Sequence, residues 1–186
     1  MLAITGLGLI LRLIGLGDAS YWQDEVFDLL KSQHLVEVLL EGNFVSNHPP
    51  LYNILLAAWR GVGLGGDEGT TRLLPALLGT TTIPAIFFVG RRLNGLRTGL
   101  IAALILAVSP FHVLHSQDLK CYIMLPLIGT LCVLLLLRAM ERNTWPSWLA
   151  YGFGAAAACY TEYFAAFLLV GINLWYLMLG DKNGQR

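Results

Sequence analysis

Long apolar runs separated by short polar breaks fill most of this chain. A helix crosses a hydrocarbon core with about 20 mainly apolar residues. Stretches at about residues 2–17, 72–90, 99–116 and 121–138 approach that length, and a longer one covers about 147–180. The last is interrupted at Thr161 and Glu162, which predicts a tight pair of helices at about 147–160 and 163–180. Residues 1–17 are apolar apart from Arg12, and they lack the basic start and small-residue cleavage site of a signal peptide. They read as a first span whose start is clipped.

Residues 18–71 are different. From Glu25 to Leu40, Val26, Leu29, Leu30, Leu35, Val36, Leu39 and Leu40 recur at helical spacing. This pattern suits an amphipathic helix lying on a membrane surface. Pro49 to Leu64 is apolar but broken by Arg60, and is expected to lie half-embedded in the outer interface. If it crossed the membrane, Asp24 and Asp118 would end on opposite faces. The expected fold class is therefore all-α, a polytopic membrane helix bundle with juxtamembrane helices in the loop 18–71.

Composition supports this assignment. Charged residues make up 13% of the 186-residue chain, about half the usual share of a soluble domain, and mean hydropathy is +0.63. An ordinary cytosolic globule and a disordered tail are excluded. Twelve basic and twelve acidic side chains cancel, leaving no basic stripe for a nucleic-acid partner. Cys121, Cys132 and Cys159 are odd in number and sit in apolar runs without metal-ligand spacing, so they read as buried thiols.

Basic residues collect on cytoplasmic loops. Placing Arg91, Arg92 and Arg97, then Arg138 and Arg142, then Lys182 and Arg186 inside is self-consistent. The N-terminus is then cytoplasmic, and Asp24, Glu25, His48, Arg72, Asp118 and Lys120 share the outer boundary. Ionisable groups beside apolar segments are functional-site candidates by default.

Each group also has a structural reading. Asp24, with Glu25 tuning it, suits a general base or a cap on the helix behind Tyr21-Trp22. His48, at the cap of a helix opened by Pro49-Pro50, suits anion binding at a helix N-terminus or a stiff turn. Asp118 suits a metal ligand shared with Asp24, a substrate-orienting carboxylate, or a Ser-Gln-Asp cap; Lys120 suits a phosphate partner. Arg12 either snorkels to the interface or turns inward. Glu162 marks a hairpin tip.

The succession Leu11-Arg12-Leu13, Tyr21-Trp22-Gln23-Asp24-Glu25, His48-Pro49-Pro50-Leu51-Tyr52, Arg72-Leu73-Leu74-Pro75-Ala76-Leu77, Gly90-Arg91-Arg92-Leu93, Ser109-Pro110-Phe111-His112 and Ser116-Gln117-Asp118-Leu119-Lys120-Cys121-Tyr122 resembles one superfamily. These are the GT-C polyprenyl-phosphate-dependent glycosyltransferases. The nearest resemblance is to the bacterial RgtA/B/C/D-like transferases, with protein O-mannosyltransferases further away.

The resemblance implies a GT-C type bundle in the bacterial plasma membrane with an extracytoplasmic site. It implies transfer of a hexose-type sugar from a polyprenyl-phosphate donor to a hydroxyl of a glycan, lipid or protein acceptor. It implies Asp24 as catalytic base beside Glu25, and Arg12, His48, Arg72, Asp118, Lys120 and Tyr122 as substrate-binding residues. It singles out no cofactor, and a divalent cation held by Asp24 and Asp118 is compatible with the pattern. Asp118 and Lys120 stand where the family more often has glutamate and arginine. Family members run to more than twice this length, so the chain is expected to be the N-terminal portion of such an enzyme. Two other classes remain open on the residues: a lipid or sugar transporter, and a non-catalytic subunit or fragment that binds lipid-linked sugar.

Overall fold

The computed structural model describes residues 1–41 and 48–182; the side chains of residues 38, 41 and 179–182 fall outside the description. Asn47, Arg186 and the side chain of Lys182, which entered the motif and topology readings, therefore lie outside it as well. The described residues are helical, with no strand among them. The helices are α1 Leu2–Leu13, α2 Gln23–Gln33, α3 Leu35–Glu41, α4 Leu51–Gly61, α5 Glu68–Val108, α6 Pro110–Gln117, α7 Met124–Arg142, α8 Trp145–Thr161 and α9 Ala165–Lys182. A short 3-10 turn, Cys121–Ile123, leads into α7.

Among the described residues, Glu68–Val108 and Cys121–Arg142 are long and apolar enough to cross a membrane, and Leu2–Leu13 and Ala165–Met178 are shorter apolar helices. The first stretch stops at Leu13 because Ile14 leaves helical geometry and Gly15 takes φ 71.

The 41 residues of α5 hold the expected stretch at 72–90 and the first part of that at 99–116 as a hairpin; the second stretch breaks at Ser109, where Pro110 opens α6. Asn94 and Gly95 break the helix, with Gly95 at φ 83, a conformation glycine adopts without steric cost. The arms 68–93 and 96–108 then pack back on each other. A Cβ on Gly90 would lie 2.9 Å from the Gly99 Cα, so this crossing depends on two glycines. Ile83, Phe87, Ala103 and Ala107 form the shared core. Asp67 starts the hairpin by accepting from the Thr70 N–H at 2.9 Å, while the Thr70 hydroxyl accepts from the Asp67 N–H at 3.3 Å. This reciprocal cap satisfies N–H groups that a helix start leaves free.

The expected surface helix at 25–40 is two helices, α2 and α3, separated at His34. Its inward face is polar: Glu25, Asp28 and Ser32 are buried, whereas Val26, Phe27, Leu30, Val36, Leu39 and Leu40 are exposed. A surface helix on a membrane presents apolar residues to the lipid boundary and leaves its polar stripe for the protein. Beneath α2, the helix α4 contributes Tyr52 and Leu56 to a core with Leu74, Leu119, Cys121 and Met124.

Candidate active site

Glu25 and Asp28 of the loop 18–71 meet Arg72 and the segment between α6 and α7, held by groups far away in sequence. Glu25 and Arg72 form a two-pronged buried pair: Nε to Oε1 at 2.9 Å and Nη2 to Oε2 at 2.6 Å. Glu25 also accepts from the Leu119 N–H at 2.8 Å and the Trp22 N–H at 3.2 Å. The remaining Arg72 donors reach the carbonyls of Leu16, Ala19 and Ser20. All five guanidinium N–H groups are thus committed. Burial alone would raise the Glu25 carboxyl, but Arg72 and the two amides outweigh it and hold it below its ordinary value.

Asp24 sits one residue earlier, in the first turn of α2, and is half-buried. It does not cap that helix; Trp22 occupies the cap position, with Glu25 folded back to its N–H. Among the described residues, no donor is bonded to the Asp24 carboxylate. The Lys120 ammonium reaches the Asp24 carbonyl at 3.4 Å and the Asp28 carboxylate at 2.9 Å. Burial would lower Lys120, yet Asp28 and Asp24 outweigh it and keep the ammonium charged. Asp118 lies 3.4 Å from His115, and burial pushes its carboxyl up.

Arg12 turns inward and is fully buried. Its Nε donates to Ser116 Oγ at 3.1 Å, Nη1 to the carbonyls of Gly8 and Ala107, and Nη2 to the Leu106 carbonyl and His112 Nδ1. The reason is local. Pro110 has no N–H to offer the carbonyl four residues back, that of Leu106; the Ser109 N–H reaches it at 3.4 Å, and the Arg12 guanidinium adds a cation at this helix C-terminus. Gly79 leaves room for this clamp, since a Cβ there would run into Ser116 Oγ.

Beyond the charged cluster lies a cavity of about 480 Å³. His48, His112, His115, Tyr122 and Glu162 supply its polar wall. His48 is not at the helix cap as expected: α4 opens at Leu51 with Pro50 as cap, and the imidazole Nδ1 instead lies 2.6 Å from Glu162 Oε2. His112 Nδ1 accepts from Arg12, which leaves its proton on Nε2. That atom is buried without a partner among the described residues. The exposed Tyr122 ring stands between the two sectors, 5.5 Å from His48, 5.7 Å from His115 and 6.0 Å from the Lys120 ammonium. Leu125 and Pro126 are also in the wall of a neighbouring depression of about 360 Å³, which in turn shares Val89, Val133 and Leu168 with another of about 530 Å³. This groove is lined almost wholly by apolar residues of α5, α7 and α9.

Sequence reasoning passed over Asp28 and gave His112 and His115 no role. Asp28 comes three residues after Glu25, and Ser32 four after Asp28, a polar stripe at helical spacing inside an amphipathic run. Glu162 reads as a hairpin tip and does join α8 to α9, but it is buried and paired. Only the convergence of chain segments far apart in sequence reveals that role.

Two helices of the bundle have membrane-spanning length and apolar composition, and the charged site lies at helix ends. The sequence profile of the dolichyl-phosphate-mannose-protein mannosyltransferase family matches residues 47–186. The protein belongs to that family of membrane glycosyltransferases, which bears out the resemblance read from the motifs. His48, Arg72, Asp118, Lys120 and Tyr122 lie within the matched segment; Arg12, Asp24 and Glu25 precede it. No curated protein and no solved structure matches the chain.

Proposed function

We propose that this chain carries the donor-binding and base-bearing part of a transferase that moves a hexose-type sugar from a polyprenyl phosphate to an acceptor hydroxyl. In this reading the N-terminus is cytoplasmic and the site lies on the extracytoplasmic face of a bacterial plasma membrane. One observation carries the reading: a cavity with histidines in its wall adjoins an apolar groove, beside the Asp24 carboxylate, to which no described residue donates a bond. That is the shape of an amphiphile with a compact anionic head and a long tail.

The lipid tail lies along the α5–α7–α9 groove and its phosphate sits near Tyr122. Asp24 takes the proton of the acceptor hydroxyl as that oxygen bonds to the anomeric carbon. The bond from that carbon to the phosphate oxygen breaks, and the lipid phosphate leaves with the electron pair. His48, His112 Nε2–H and Lys120 face the charge that develops there, and fixed donors of this kind can supply the largest catalytic share. Asp118 orients the acceptor, which is a glycan, lipid or protein. Glu25 and Arg72 hold the segment that presents Asp24, since their own groups are fully engaged.

The test uses membranes from cells expressing the full reading frame and radiolabelled polyprenyl-phosphate hexose. Loss of label from the organic-extractable donor pool is counted. Asp24→Asn is expected to slow that loss by about 10²–10⁴-fold, the usual share of a general base. Transfer at the unmutated rate by well-folded Asp24→Asn would remove Asp24 as base. No transfer with any acceptor class would move the reading to lipid-linked sugar binding or transport.

A further inference from the structure

We infer that His48, Cys121 and Glu162 form a binding site for one transition-metal ion of the zinc class at the edge of the cavity. Their donor atoms all lie within 4.8 Å of one another. The His48 Nδ1 is 2.6 Å and the Cys121 Sγ 3.7 Å from Glu162 Oε2. Imidazole, thiolate and carboxylate together are a zinc donor set, with the sulfur selecting against magnesium and calcium. Tetrahedral zinc with bonds of about 2.0–2.3 Å spaces its ligand atoms about 3.3–3.7 Å apart. The sulfur–oxygen separation already has that value, and the nitrogen–oxygen pair must open by less than about 1 Å to reach it.

The three ligands come from separate parts of the chain that are fixed independently. His48 precedes the Pro49-Pro50 start of α4. Cys121 opens the 3-10 turn two residues after Leu119, whose N–H is bonded to Glu25. Glu162 stands in extended geometry between α8 and α9, its N–H bonded to the Ala158 carbonyl at 3.1 Å. Cys121 and Glu162 are buried, and His48 and Glu162 line the cavity, so a fourth position opens onto it. On binding, the Cys121 thiol proton leaves to solvent, and the ion takes the place of the direct His48–Glu162 contact, with the imidazole bound neutral through Nδ1. The site stands on ligand geometry, independently of the transferase reading.

The test is metal binding by the purified full-reading-frame protein in detergent, stripped with chelator and reloaded. Elemental analysis after zinc loading is expected to give about one equivalent. Cobalt loading is expected to give the sulfur-to-cobalt charge-transfer band and the intense visible bands of a tetrahedral thiolate site. Cys121→Ser is expected to abolish the near-ultraviolet band, and Glu162→Gln and His48→Ala to drop retention several-fold. Cys159→Ser, at the exposed cysteine, should change neither. A cobalt spectrum of the unmutated protein without the thiolate band overturns the proposal, whatever the variants do. So does full zinc retention by folded Cys121→Ser.

Discussion

At the scale of residues, two arginines are held by the protein's own acceptors. Arg72 spends its fork on Glu25 and three carbonyls, and Arg12 spends its own on helix ends and His112. Both were read from sequence as substrate-binding residues, because a cation in an apolar run signals function equally well when it serves the fold. Removing one partner of a buried pair leaves the other charge uncompensated, which costs about 3–5 kcal/mol. Glu25→Ala is therefore expected to lower the melting temperature of the detergent-solubilised protein sharply.

The pair also has a pH signature. The folded Glu25 carboxyl titrates below its ordinary value of 4.5. Its stabilisation is thus fully present above that value and is lost as pH falls through the lower, folded one. Glu25→Gln removes this acid limb. A melting profile with the same acid limb in both proteins would show that other carboxyls set it.

At the scale of elements, most of the helices were legible and their relationships less so. The hairpin within α5 followed from two apolar runs around Arg91, Arg92 and Arg97, and the α8–α9 pair from Glu162 inside a long apolar stretch. The break at His34 was not legible, because Leu35 and Val36 continue the apolar pattern across it. Nor was the inward turn of Glu25, Asp28 and Ser32: a helical stripe identifies a face without saying whether lipid or protein covers it.

The α5–α7–α9 groove is where an element-level change should be felt. Val133→Trp adds bulk where its two outer depressions meet. Displacing two buried methylenes at about 0.8 kcal/mol each raises KM for a long-chain donor roughly tenfold. A donor with a tail too short to reach Val133 should be unaffected. An equal rise for both donors would place the tail elsewhere.

At the scale of the whole molecule, the Arg12 clamp sets an order of events during synthesis. Its partners Ser116, Ala107, Leu106 and His112 lie 94 to 104 residues downstream. At translation speeds of about 5–20 residues per second, that separation is roughly 5–20 s. For that interval α1 leaves the ribosome with a guanidinium that has only the Gly8 carbonyl among its acceptors, so its other donors wait at the water boundary. Trypsin is expected to cut after Arg12 in chains arrested before residue 106 emerges and to fail once residue 118 is out. Resistance at the shorter length would mean that another partner shelters Arg12 first. Helix α1 is, on this account, locked only after α5 and α6 have been made, and the nascent chain remains open to rejection by the membrane's proteases until then.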